Sequence, residues 1–194
     1  MESKLGTNQQ STSELPQSRK HGPRFDLRNH LHRVAGVDLT KVGGLNVQTV
    51  QTIISEVGVD MSRWNTEKNF ASWLGLCPDN RVSGGRVLKR DTRQVVNRAA
   101  TAFRLAAWNL IRSQSALGAN FRRLRSKLGA PKAVTAMAHK LARLVYRMLK
   151  FGADYIDKGM EAYESRYRQH QTKWLTKQAA ALNLQLIPAP TVTG

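Results

Sequence analysis

Acidic side chains are scarce in this chain. Its 194 residues hold 13 Asp and Glu against 31 Lys and Arg, a net charge of +18. Between positions 81 and 150 there are 17 basic residues and one acid, Asp91, so that stretch alone carries +16. A field this one-sided opposes folding by self-repulsion, and a polyanionic partner is the expected reason for it. The same scarcity leaves too few carboxylates in the basic region for a two-metal nuclease site. Cysteine is nearly absent: Cys77 stands alone, which rules out an internal disulfide and fits a reducing compartment. No apolar run reaches the roughly 18 residues of a membrane span, and the N-terminus has no signal-type pattern. The histidines at 21, 30, 32, 139 and 170 show no ligand-type spacing with cysteine or one another. No metal site is expected in this chain.

Large apolar side chains are almost missing from residues 1–24, so this segment is expected to be a disordered tail. Beyond it the apolar residues recur at helical spacing. Leu27, Leu31 and Val34 suggest one short helix. Val47, Val50, Ile54 and Val57 mark another, capped by Asn46 after the pair Gly43-Gly44. Short helix, glycine turn, helix is the outline of a helix-hairpin-helix, placed at 38–58, whose turn amides at Gly44 would hold a phosphate. That motif's usual second glycine is replaced by Asn46, so an ordinary helix–helix turn is the competing reading. Asn65 or Thr66 starts a short helix with Phe70, Trp73 and Leu74, stopped by Pro78.

A loop is expected at 79–91, then a long helix from about Thr92 to Ser113 with the stripe Val96, Ala99, Phe103, Ala106, Leu110. Leu117, Phe121 and Leu124 define the next helix, which carries Arg122, Arg123, Arg125 and Lys127 and closes at Gly129. Pro131 opens another, with Val134, Ala138, Leu141, Val145 and Met148 inward. A mostly polar helix at about 155–183 precedes a tail at 189–194. No period-2 run of convincing length is present, so the expected fold is all-α, with a single helical domain over 25–188 and basic helices over 92–150.

One stretch invites chemistry: "DNRVSGGRVLKRDTRQ", residues 79–94. A serine attacking a phosphodiester must lose its proton and approach an anionic phosphorus. Neighbouring guanidinium groups ease both by stabilising the alkoxide and the phosphoryl oxygens. Ser83 is the candidate nucleophile. Gly84 and Gly85 would let the backbone approach a strand closely. Arg81, Arg86, Lys89, Arg90 and Arg93 are candidate phosphate contacts on their nearness in sequence. Against this stands the plain reading, a serine-glycine turn in a basic loop that only binds. His139 reads as structural or phosphate-touching rather than catalytic, and Cys77 as a small buried apolar group.

Three segments, "FDLRNHLHRVAGVDLTKVGGLNVQTVQTIISEVGVDMSRW", "FASWLGLCPDNRVSGGRVL" and "ALGANFRRLRSKLGAPKAVTAMAHKLARLVYRMLK", resemble the C-terminal domain of the IS-one-ten family of insertion-sequence transposases, DEDD recombinases guided by a bridge RNA. The resemblance runs over about 25–188. It implies a DNA-binding domain that contributes a serine to a composite active site, and the "SGG" following "LGLCP" carries that role to Ser83. It implies DNA, a guide RNA, and a RuvC-like-domain-bearing transposase or further copies of the chain as partners, in a bacterial cytoplasm near the nucleoid. Complete members also have an N-terminal RuvC-like domain with four metal-binding acids. Residues 1–24 cannot hold one, so a truncated transposase is expected, and Mg2+ is implied only for the domain not found here. The rival functions are a non-catalytic helix-hairpin-helix module and a basic RNA-binding protein of ribosomal type. Orderly apolar stripes, which imply a self-supporting core, argue against the latter.

Overall fold

A computed structural model describes residues 25–92, 95–152 and 159–187; the tails expected at 1–24 and 189–194, and Arg93, lie outside the described residues. The fold is helical, as its periodicity predicts. Seven α-helices are described: α1 Leu27–Ala35, α2 Val47–Val57, α3 Glu67–Trp73, α4 Arg98–Asn109, α5 Ala116–Leu128, α6 Ala130–Phe151 and α7 Gly159–Ala181. Short 3-10 turns at Leu39–Lys41 and Leu110–Arg112 finish two corners. The one departure in kind is a β-hairpin, β1 Pro78–Ser83 and β2 Arg86–Thr92, where a loop was expected.

The centre of the molecule is α6. Met137, Ala138, Leu141, Ala142 and Val145 are fully buried, and the helix packs against α3, α4 and α5. From α4 comes a run of small side chains, Ala99, Ala100, Ala106 and Ala107, with Phe103 among them, all at 0% exposure. Alanine lets the two helix backbones approach closely, and Phe103, Phe121 and Phe70 fill what remains. Each such large apolar side chain contributes about 1.5–3 kcal/mol by leaving water. Gly129 stops α5, its amide reaching Arg125 O at 3.0 Å, and Pro131 sits in the first turn of α6, where no backbone N–H is needed.

Several boundaries move, each for a local reason. Helix α4 starts at Arg98, not near Thr92, because Asn97 accepts from Ala100 N at 3.1 Å and caps it. A capping residue has extended backbone, so Val96 cannot join the buried stripe and is fully exposed at 107%. Thr66, rather than Asn65, caps α3, accepting from Asn69 N. That helix ends at Trp73, four residues short of Pro78, which instead begins β1. Val34 is exposed, leaving Leu31 as the buried residue of α1.

The region 38–58 follows the helix-hairpin-helix outline loosely. Its first element is a single 3-10 turn, Leu39–Lys41, and α1 ends before it. Asn46 does cap α2, accepting from Thr49 N at 2.8 Å. The glycine turn between them is wedged against α4: a Cβ on Gly44 would stand 2.5 Å from Ala106 O and 3.0 Å from a Leu110 carbon, at a φ of +89°. Packing alone therefore requires glycine there.

Candidate nucleic-acid interface

The hairpin forms because its turn chemistry allows it. Gly84 and Gly85 have φ of +55° and +76°, and two successive left-handed residues make the two-residue turn whose twist matches paired strands. Ser83 pairs with Arg86 across that turn, and the register continues as Val82–Val87, Arg81–Lys89, Asn80–Arg90 and Asp79–Asp91, with a bulge between Arg81 and Val82. Ser83, Gly84, Gly85 and Arg86 are all exposed, and nothing lies within 4 Å of where a Cβ on either glycine would be. The two tip glycines have open space where a side chain would stand. The backbone thus brings Arg81, Lys89 and Arg90 onto the same two-stranded ribbon as Ser83, and between positions 80 and 90 there is no acid. Arg93 lies outside the described residues.

The root of the hairpin is anchored by Cys77. Its thiol donates toward Lys68 O at 3.9 Å, and burial pushes its pKa up, so it remains a thiol and an inert packing group. Beside it, α3 is tied to α6 through Glu67, which pairs with Arg143 and lies 3.9 Å from Arg147. Half-buried His139 is held below its ordinary pKa, first by burial and then by the Arg143 charge. It is neutral at pH 7, which suits a packing role.

Three other hydroxyls, those of Ser113, Ser115 and Tyr146, are committed elsewhere. Ser113 Oγ donates to Ser115 Oγ at 2.8 Å, and Ser115 Oγ accepts from Gly118 N at 3.0 Å as the cap of α5. Tyr146 is 2% exposed; its hydroxyl donates to Trp64 O at 2.7 Å and accepts from Lys150 Nζ at 2.8 Å. Tyr146→Phe should therefore cost about 1–2 kcal/mol in a urea melt, since it leaves a buried carbonyl unpaired. DNA binding should be unchanged, and a binding defect at unaltered stability would contradict this placement.

The cation cluster on α5 divides in a way the sequence does not announce. Arg122 turns inward and donates to Ser113 O at 2.6 Å and Ile111 O at 3.3 Å. Arg123 lies over the Tyr167 ring, 3.4 Å from its centroid, with Tyr163 at 5.7 Å, and so holds α7. Arg125 sits 5.9 Å from the Trp108 ring. These three do structural work first. Arg98, Arg112, Lys132, Lys140 and Arg147 are exposed, and among the described residues none has an acidic partner within 4 Å except Arg147, which approaches Glu67. Among the described residues no group of three or more His, Cys, Asp or Glu is placed to hold a metal ion, and no helix is long and apolar enough to cross a membrane.

Comparison with known proteins finds no similar curated protein and no similar solved structure. It does find a family. The family described as Transposase IS116/IS110/IS902 matches residues 36–123, a stretch that contains the glycine turn, the whole hairpin, α4 and the cationic start of α5. Over residues 36–123, fewer than half of the chain, the sequence is similar to the IS116/IS110/IS902 transposase family.

Proposed function

We propose that this chain is a DNA-binding, strand-joining part of a transposase, with Ser83 as the nucleophile. The observation that carries the reading is the position of Ser83: exposed beside two open glycines at a hairpin tip, cross-paired with Arg86, inside the family-matched stretch. A serine there can reach a phosphodiester without the strand having to enter a pocket. Arg86 adjoins the phosphorus, and Arg81, Lys89 and Arg90 hold the flanking phosphates. Attack forms one P–O bond as another breaks, so the phosphodiester is conserved, as recombination requires and hydrolysis does not.

Among the described residues no general base hydrogen-bonds the Ser83 hydroxyl. The proton acceptor and Mg2+ are assigned to a RuvC-like domain acting with this chain, and a guide RNA and further copies of the chain are partners in the same assembly. A second reading, a module that binds nucleic acid without chemistry, rests on the same basic stretch.

The binding half is tested on the hairpin. The triple variant Arg81→Ala/Arg86→Ala/Lys89→Ala should bind duplex DNA at least about tenfold more weakly near 0.1 M salt, with a log–log salt slope shallower by about 2 to 3. Its helical circular dichroism should match the parent. Unchanged affinity and slope would remove the hairpin from the interface.

A further inference from the structure

We infer that the exposed face of α7, from Arg166 outward, is a nucleic-acid arm that takes a single strand of DNA, its phosphates on Arg166, Lys173 and Lys177 and a base stacked on Trp174. The inference rests on the nucleic-acid reading above and adds a surface outside both the hairpin and the family-matched stretch.

Two halves of α7 behave differently. Met160, Tyr163 and Tyr167 are half-buried and dock on α5, with Arg123 over both tyrosine rings and Arg122 Nη2 3.2 Å from Met160 Sδ. From Arg168 to Ala181 every residue except Ala179 is exposed. At 1.5 Å per residue that is about 20 Å of helix outside the core.

Charge selects the occupant. No acid occurs after Glu164, while Arg166, His170, Lys173 and Lys177 recur at four, three and four residues, one face of the helix. Trp174 borders that face and is 60% exposed. Arg166, Lys173 and Lys177 beside an exposed aromatic ring supply the chemistry that binds single strands: cations follow the backbone and a ring stacks on a base of any sequence. A second copy of the chain fits less well. The seam continuing from Tyr163 and Tyr167 at three-and-four spacing reads His170, Trp174, Lys177, Ala181, and a lysine and a histidine in the seam weaken a helical zipper. Two such arms would also set like charges side by side.

The test uses the full chain, an oligo-dT of about 20 nucleotides, long enough for one binding site, and a duplex of equal length, followed by fluorescence anisotropy. Lys173→Ala/Lys177→Ala should weaken oligo-dT binding about tenfold near 0.1 M salt and make its log–log slope shallower by about 1.4, from roughly 0.7 per phosphate contact. Trp174→Ala should weaken it by about tenfold at an unchanged slope, as loss of one stacked base does. Duplex binding should match the parent in both variants. All three side chains are exposed, so folding is not at stake, and circular dichroism verifies it. Oligo-dT affinity untouched in both variants overturns the inference. So does an equal loss on duplex, or a Trp174-dependent dimer with single-strand binding intact. A parent chain that binds neither DNA overturns the nucleic-acid reading itself.

Discussion

Gly118→Ala should cost this protein at least about 3 kcal/mol, a large part of a typical domain's stability. The added Cβ would stand 2.1 Å from the Ser113 carbonyl oxygen and 2.9 Å from its carbon. Both are backbone atoms in the turn that Arg122 also grips, so no side chain can rotate away. Relief requires α5 to move as a body, and α5 carries buried Leu117 and Phe121 into the core. Gly44→Val belongs to the same class, with backbone 2.5 Å away and a left-handed φ, and should lose folding and DNA binding together. By contrast, Gly84→Ala meets no atom within 4 Å and pays only the left-handed backbone, about 1–2 kcal/mol, confined to the hairpin. Urea melts of the three variants check the ordering. A Gly118→Ala protein as stable as the parent would mean that the α4–α5 corner is packed otherwise.

Duplex DNA should bind tightly at low salt, with little sequence preference, and release steeply as salt rises. The cause is the +16 carried by positions 81–150. If about five to eight of these cations each neutralise a phosphate, log K should fall against log salt with a slope near −5 to −7. Between 50 and 200 mM salt the affinity would then drop about 10^3- to 10^4-fold. The structure narrows the choice of cations. Arg122 and Arg123 are occupied by carbonyls and tyrosine rings, whereas Arg86, Arg98 and Lys132 are exposed. Substituting the second group should flatten the slope, and substituting the first should instead lower stability. A slope near zero would contradict the electrostatic account.

Helices were legible in the sequence because their apolar stripes have one period and their ends carry caps: Asn46, Gly129 and Pro131 each sit where such residues belong. The hairpin was not. Its strands are short and mostly polar, with Val82 and Val87 giving too little alternation to register, and the bulge after Arg81 breaks the period again. The signal that was available is "SGG" followed by a basic residue, since two adjacent glycines allow the two-residue hairpin turn. Val96 misled for a related reason: it has the right spacing from Ala99 and Phe103, but Asn97 caps the helix one residue later. The packing of Gly44 on Ala106 and of Arg123 on Tyr163 and Tyr167 joins residues far apart in the chain, and no local pattern predicts it. Ser83 was visible as a residue type in a basic context; its exposure at a tip is what the fold adds.

The claim that Ser83 is a nucleophile is tested most directly by covalent capture. This chain would be mixed with magnesium, donor DNA and a RuvC-like domain from an intact family member, then denatured and assayed for protein-linked DNA. A covalent adduct should form, mapping to Ser83, and should vanish in Ser83→Ala, which removes one exposed oxygen and leaves the hairpin arginines in place, so DNA binding should persist. An adduct that survives in Ser83→Ala, or maps to Ser113 or Ser115, would contradict the account and leave the hairpin tip as a binding element only.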